Sequence, residues 1–493
     1  MKRFKMSAFA SASRLLIRIG AVWLIGLGSV MVADSAAAAD APTPKGEVQH
    51  HVFDQSKVFP GTTRDYWIYI PKQYDPAKPA CLYVNQDGIQ NKAPEVFDDL
   101  ISKGEMPIVI GVFITPGKVK ARSDEALDRF NRSYEYDGLG AAYLRFLNQE
   151  ILPEVERKTA ADGRALRIST KGDDRAIGGS SSGAVCAFTA AWEGTVAREL
   201  PGSFHRVFST IGTYVGLRGG NVYPTLIRKY EPKPLRVFLQ DGSSDLNIYG
   251  GDWWMANQEM ERALTFAGYE VQHDWGDGGH NGQHAGRIFP DAMRWLWKDW
   301  PNAIKAGQGS AQLQEIVVPG EGWAEAADKP AGLGQPRKDA VANHKGVRLS
   351  VDLKNLGGLT LSPDQSLVYA ADAGSRWVYS YQVQPDGALK HGQKYYHLHV
   401  PDDADDAGAG GLCVDRDGRL YVATRMGIQV CDQAGRVNVI IPTPQGGATD
   451  VVFGGPDRSV LYVESGGGIY KRKLNTQGVD PAAAPIKPKA PRL

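Results

Sequence analysis

The stretch Gly179-Ser180-Ser181-Ser182-Gly183 constrains this chain more than any other. It fits the pattern G-x-S-x-G, with Ser181 at the central position. A short strand-like run, Arg175-Ala176-Ile177-Gly178, precedes it, and an Ala-rich helical run over 184–192 follows. A strand that turns sharply into a helix needs small residues where the two backbones pass. Such a turn leaves its central side chain at the end of a sheet, beside the free N–H groups of the helix N-terminus. This is the setting of an activated serine. A Gly/Ser-rich surface loop would share the letters but not the flanking strand and helix.

A serine nucleophile needs a base, and the base needs an orienting acid. In sheets of this kind the chain order is Ser, then Asp or Glu, then His. After a strand-like run at 235–239 comes Gln240-Asp241-Gly242-Ser243-Ser244-Asp245. Asp245 is the expected acid, with Asp241 and Asp252 as rivals. After a second run at 270–275 comes Gly276-Asp277-Gly278-Gly279-His280. A histidine framed by glycines in a loop is poorly explained by core packing, so His280 is the expected base. His284, near the start of the next helix, is the runner-up. The oxyanion hole is expected to use the N–H of Ser182 and one from the loop at 85–90. Gly88 is the expected second donor, with Ile89 as its alternative.

Around these residues strands and helices alternate from Gly46 to Ala303. The runs at 80–84 and 107–114 are nearly continuous in apolar residues, as parallel strands buried on both faces should be. Residues 139–158 show helical spacing of Tyr143, Phe146, Leu147, Ile151 and Val155. The pattern predicts an α/β fold with a doubly wound, mostly parallel sheet and helices on both faces over 47–302. A stretch rich in Ala, Gly, Pro, Gln and Lys at 303–345 is expected to be a partly extended, mobile linker. From 346 to 474 the chain turns to short strands with Gly/Asp turns. Gly358-Leu359-Thr360-Leu361-Ser362-Pro363-Asp364 is echoed by Gly411-Leu412-Cys413-Val414-Asp415 and by Asp450-Val451-Val452-Phe453. This predicts an all-β partial propeller of about three blades. A Pro/Ala/Lys-rich tail at 475–493 is expected to be disordered.

A chain of 493 residues is too long for one ordinary core, which agrees with at least two domains. The net charge of +1 gives no reason to expect a nucleic-acid partner. Lys2, Arg3, Lys5, Arg14 and Arg18 form a basic leader before an apolar stretch at 19–33 and Ala37-Ala38-Ala39. Residues 1–39 therefore read as a cleaved export signal, which places the mature protein in the periplasm or outside the cell without a membrane span. The four cysteines make no disulfide framework in a chain this long. Cys81 and Cys186 read as small buried hydrophobes, while Cys413 and Cys431 would be able to pair in an oxidising compartment.

Together these residues resemble the esterase D / enterochelin esterase-like branch of the α/β-hydrolases, which includes feruloyl and acetylxylan esterases. The likeness covers most of 47–302. It rests on the segments Trp67-Ile68-Tyr69-Ile70-Pro71-Lys72-Gln73-Tyr74-Asp75, Gln86-Asp87-Gly88 and Glu150-Ile151-Leu152-Pro153, on Gly-Ser-Ser-Ser-Gly, and on Gly278-Gly279-His280. The resemblance implies hydrolysis of carboxylic esters, often with bulky acyl or sugar-linked groups. The C-terminal repeats resemble gluconolactonase/regucalcin-like propellers. That family carries a metal-binding Asn before its first Gly-Leu and an Asp before its second; here these positions are Gly357 and Gly410. Neither offers a side-chain ligand for a hard cation.

The expectation is thus an exported serine esterase. Ser181 is the nucleophile, His280 the base and Asp245 the orienting acid, with Ser182 and Gly88 at the oxyanion and no metal or cofactor. The substrate is a small-molecule or oligosaccharide ester, and Tyr249, Trp253 and Trp254 are candidates to stack on it, with helix packing an equal reading of Trp253 and Trp254. The alternatives are a non-catalytic binder that uses the propeller, and a metal-dependent lactonase. An incomplete propeller also needs a cover: the hydrolase domain or a second copy in a homodimer.

Overall fold

The computed structural model describes residues 42–194, 202–334, 347–348, 351–480 and 483–491. The expected export signal at 1–39 lies outside the described residues. Eight strands form one sheet: β1 (Glu47–Phe53), β2 (Arg64–Ile70), β3 (Cys81–Gln86), β4 (Val109–Ile114), β5 (Arg175–Ser180), β6 (Arg206–Thr210), β7 (Arg236–Gly242) and β8 (Glu270–Gly276). Their order is β1-β2-β4-β3-β5-β6-β7-β8. The β1/β2 and β2/β4 pairs are antiparallel and all others are parallel.

Among the helices that cover the sheet are α1 (Ala93–Ser102), α2 (Ser182–Gly194), α3 (Tyr223–Lys229), α4 (Trp253–Ala267) and α5 (Gln283–Trp297). The strands divide their side chains between two apolar layers, as a period of two requires. Leu82, Val84, Ile177, Val207 and Val237 join one layer with Val185 and Phe188 of α2 and Met260 of α4. Cys81, Tyr83, Phe208 and Phe238 join the other with Phe97 of α1 and Phe289 and Met293 of α5. The helical stretch expected at 139–158 spans 142–156, with a widened turn at Leu147–Ile151. That turn precedes Pro153, which has no N–H for the regular ladder.

One buried ion pair matters for the site. Arg64 on β2 donates to both carboxylate oxygens of Glu135, at 2.7 and 3.0 Å, and neither side chain is exposed. The guanidinium also stacks 4.3 Å from the Phe146 ring centroid. Glu135 lies in the short helix Arg132–Tyr136, which is thereby tied to the sheet.

After α5 the chain does not run free. Residues 311–316 form α6 (Ala311–Ile316), capped by Ser310, and Leu313 and Ile316 are buried in an apolar cluster with Val451 and Leu461. Next comes β9 (Ala324–Glu325). The strands that follow are β10 (Leu356–Leu361), β11 (Leu367–Asp372), β12 (Trp377–Val383), β13 (Leu389–His397), β14 (Leu412–Val414), β15 (Leu420–Thr424), β16 (Gly427–Cys431), β17 (Val437–Ile441), β18 (Asp450–Gly454), β19 (Val460–Ser465) and β20 (Gly468–Lys473). Among the described residues these make three four-stranded blades: β10-β11-β12-β13, β14-β15-β16-β17 and β18-β19-β20-β9. The outer strand of the third blade therefore comes from the stretch expected to be a mobile linker. It pairs with β20 through Ala324–Lys471 and Glu325–Tyr470 and satisfies an edge that would otherwise be open. Residues 335–345 of that stretch lie outside the described residues.

The tail also differs from expectation. Ile486 donates its N–H to the Pro363 carbonyl at 2.8 Å, and Gln433 donates to the Lys489 carbonyl at 2.6 Å. Cys413 on β14 and Cys431 on β16 are separated by β15, and all four cysteines are free.

The blades pack on the hydrolase region. Tyr230 forms a parallel bridge to Ile440 of β17, and Glu231 N–H donates to the Ile440 carbonyl at 3.0 Å. Buried Arg472 donates twice to the Glu231 carboxylate at 2.7 Å. One apolar cluster runs from Trp192, Leu226 and Tyr230 into Tyr396, Leu398, Val437 and Ile440.

Candidate active site

The turn between β5 and α2 holds Ser181 at φ 59°, in the left-handed region. That conformation costs a residue with a Cβ about 1–2 kcal/mol. The surroundings hold it there. Ser181 N–H donates to the Thr210 carbonyl at 3.0 Å, and its carbonyl accepts from Thr213 N–H at 3.2 Å. Gly179 explains the small residues: a Cβ there would lie 2.4 Å from the Gly183 carbonyl oxygen.

His280 and Asp245 come to Ser181 from the loops after β8 and β7. Those loops are stitched by Ser243 N–H to the Gly276 carbonyl at 2.9 Å and Ser244 N–H to the Gly278 carbonyl at 3.2 Å. His280 Nε2 lies 2.9 Å from Ser181 Oγ, and His280 Nδ1 lies 2.6 Å from Asp245 Oδ1. Asp245 is fully buried at its side chain, and His280 is 22% exposed. The three expected residues are therefore within hydrogen-bonding reach in the order a serine triad requires.

The rivals have other partners. Asp241 accepts from Asn257 Nδ2 at 2.8 Å and from Gly242 N–H at 2.7 Å. Asp252 caps α4 through Met255 N–H at 3.0 Å. His284 sits between Asp274, at 2.8 Å, and Gln240, at 3.2 Å, on α5. Burial, followed by the carboxylate of Asp245, pushes the Asp241 carboxyl well above the usual range. Burial acts upward on Asp245 too, but the hydrogen bonds from His280, Asp241 and Leu246 N–H outweigh it, and the acid is held below its ordinary value. The two carboxyls thus titrate apart, so that Asp241 holds a proton while Asp245 stays charged beside the imidazole.

The oxyanion expectation needs one correction. Gly88 N–H donates to the Ile114 carbonyl at 3.1 Å and is committed to the end of β4. Among the described residues the Ile89 N–H makes no backbone hydrogen bond. Ser182 opens α2, where the first-turn N–H groups lack helical partners. The loop itself is clamped by Arg132, which donates to Asp87 Oδ1 and Oδ2, both at 2.8 Å, and to the Ser180 carbonyl at 3.3 Å. Asp87 falls in the Gln86-Asp87-Gly88 segment of the resemblance, but nothing in the sequence pairs it with Arg132, from which 45 residues separate it.

The aromatic expectations divide. Tyr249 is 93% exposed. Trp253 is buried behind His280, edge-on at 6.0 Å between ring centroids, and Trp254 packs edge-on against Trp275. The propeller glycines also have a structural reason. A Cβ on Gly357 would lie 2.0 Å from the Ala409 carbonyl oxygen, and one on Gly410 would lie 2.1 Å from that of Thr449. The inner strands approach too closely for side chains at the two positions where the resemblance has metal ligands. The residues present do not fit that metal.

A serine, histidine and aspartate joined in this way at the carboxyl ends of a β1-β2-β4-β3-β5-β6-β7-β8 sheet define the α/β-hydrolase class. Residues 57–283 match the family described as "Putative esterase", and residues 336–467 match the SMP-30/Gluconolactonase/LRE-like region. The chain thus joins a region that matches an esterase family model to one that matches a gluconolactonase-like model. Regucalcin of Xenopus laevis is 30% identical over 154 residues, covering 27% of this chain and 49% of its own length. Regucalcin of Danio rerio is 29% identical over 136 residues, covering 27% and 42%. The chain thus spans less than half the length of these curated relatives. Among solved structures, a ferulic acid esterase is 17% identical, with 52% of this chain and 99% of that one covered and a TM-score of 0.38. An enterobactin esterase from Shigella flexneri is 18% identical, covering 52% and 61%, with a TM-score of 0.38. A gluconolactonase from Xanthomonas campestris is 30% identical over 26% of this chain and 40% of its own, with a TM-score of 0.23.

Proposed function

We propose that this protein is an exported serine esterase acting on carboxylic esters. The observation that carries the reading is His280 spanning Ser181 and Asp245, at 2.9 and 2.6 Å. Ser181 Oγ attacks the ester carbonyl carbon while its proton passes to His280 Nε2. The carbonyl π electrons move onto oxygen, which receives hydrogen bonds from the Ser182 and Ile89 N–H groups. As the tetrahedral intermediate collapses, the bond to the alcohol breaks and His280 returns the proton to the leaving oxygen. Water then repeats the sequence on the acyl-enzyme and releases the acid. Asp245 holds the imidazole in the required tautomer and stabilises its charged form. Acyl-sugar and aromatic acyl esters are the proposed substrates. The exposed ring of Tyr249, four residues beyond Asp245, supports this by offering a stacking face.

A panel of feruloyl, acetyl-xylan, catecholate and short-chain esters tests the reading with wild-type protein and Ser181→Ala. Turnover of at least one ester, reduced on the order of 10³-fold or more in the variant, is expected. Equal turnover by the two proteins would refute it.

A further inference from the structure

We propose that Thr213 is a further catalytic residue of this site and that Trp253 positions it, through a directed hydrogen-bond chain from the Trp253 indole to the Ser181 hydroxyl. The proposal rests on Ser181 being the nucleophile. Thr213 Oγ1 lies 3.1 Å from Ser181 Oγ, and Trp253 Nε1 lies 3.2 Å from Thr213 Oγ1. Both residues are buried, so water competes little for these bonds.

Donor chemistry sets the direction of every link. An indole N–H only donates, so Thr213 Oγ1 accepts from Trp253. His280 gives its Nδ1 proton to Asp245, which leaves Nε2 as an acceptor for the Ser181 proton. Ser181 has then no proton left for Thr213. The Thr213 hydroxyl must be the donor in the Thr213–Ser181 pair.

Two local features fix the arrangement. Thr213 N–H is bonded to the Ser181 carbonyl, which locks the threonine to the elbow. Trp253 opens α4, its N–H bonded to the Leu246 carbonyl at 2.9 Å, and Asn257 one turn later donates to the Gly212 carbonyl at 2.9 Å.

A donor aimed at Ser181 Oγ holds that oxygen towards His280. It also stabilises negative charge on Oγ as the proton leaves, and again when Oγ departs from the acyl-enzyme. The effect falls on bond making and breaking rather than on binding.

Saturation kinetics of a fluorophosphonate with the full-length protein separate these two. Thr213→Val should lower the maximal rate of Ser181 modification about 10- to 100-fold, with the half-saturating concentration little changed. Thr213→Ser should restore most of the rate. Trp253→Phe, which removes the N–H donor together with part of the buried ring edge-on to His280, should lower the same rate by a smaller factor, and Thr213→Ala decides the matter if Thr213→Val does not fold. Thr213→Val reacting as fast as wild type, or Thr213→Ser as slowly as Thr213→Val, overturns the proposal alone. Wild-type protein left unmodified at Ser181 refutes the esterase reading and this proposal with it.

Discussion

Arg132 grips Asp87 with two hydrogen bonds of 2.8 Å, one to each carboxylate oxygen. The pair joins the short helix before the site to the loop that carries Ile89, and its third bond reaches the residue before the nucleophile. A lysine keeps the charge but cannot form the fork. Arg132→Lys should therefore fold normally and lose kcat by about 10- to 100-fold, the scale set by small misplacements of catalytic groups. Steady-state kinetics on the best ester of the panel checks this; unchanged kcat would show that the clamp does not position the loop.

Asp241 gives a pH prediction. Its carboxyl is raised in the folded protein, to about 8, by burial and by its neighbour Asp245. In the unfolded chain an aspartate titrates near about 3.9. Between these values the folded state holds a proton that the unfolded state has lost, so stability is full below the lower value and falls as pH rises towards the upper one. Asn cannot ionise, and Asp241→Asn should flatten this decline. Urea unfolding at pH 5 and pH 8 tests it, and parallel losses in the two proteins would contradict the assignment.

Glu135 neutralises Arg64 where no water reaches either side chain. Removing one member of such a pair leaves a buried charge and costs about 3–5 kcal/mol. Glu135→Leu should lower the unfolding midpoint by a corresponding amount. A shift equivalent to less than about 1 kcal/mol would place the pair among weakly contributing surface bridges.

The blades depend on the hydrolase region for cover. Tyr396, Leu398, Val437 and Ile440 share its apolar cluster, and the third blade takes its outer strand from Ala324–Glu325. Residues 346–474 expressed without these partners should aggregate or form dimers in sedimentation velocity. A stable monomer would contradict the dependence.

The parallel strands were readable because both of their faces are buried: all six residues of Val109–Ile114 are, and the run is continuously apolar. The strand Glu47–Phe53 was not, since it lies at the sheet edge and alternates only partly buried with exposed positions. The nucleophile turn was readable because a close backbone demands glycine at Gly179, and at Gly183 a Cβ would meet the Asp87 and Gln86 side chains at 3.2 Å. The histidine was readable because its loop is glycine-rich. Asp87 with Arg132, and Thr213 with Trp253, left no local pattern. Each pair is made by elements that meet only after the sheet has wound. The Ala324–Glu325 strand is too short for any period, and its role is set by the edge it covers. The Gly88 expectation failed for a related reason: the commitment of its N–H depends on the neighbouring strand end at Ile114.

The central claim is that Ser181 is a nucleophile activated by His280. Mass spectrometry of the full-length protein after fluorophosphonate treatment tests it most directly. The account predicts one adduct, mapped to Ser181, and none in Ser181→Ala, with modification strongly slowed in His280→Ala. An adduct at another residue, or none in the wild-type protein between pH 6 and 9, would contradict it.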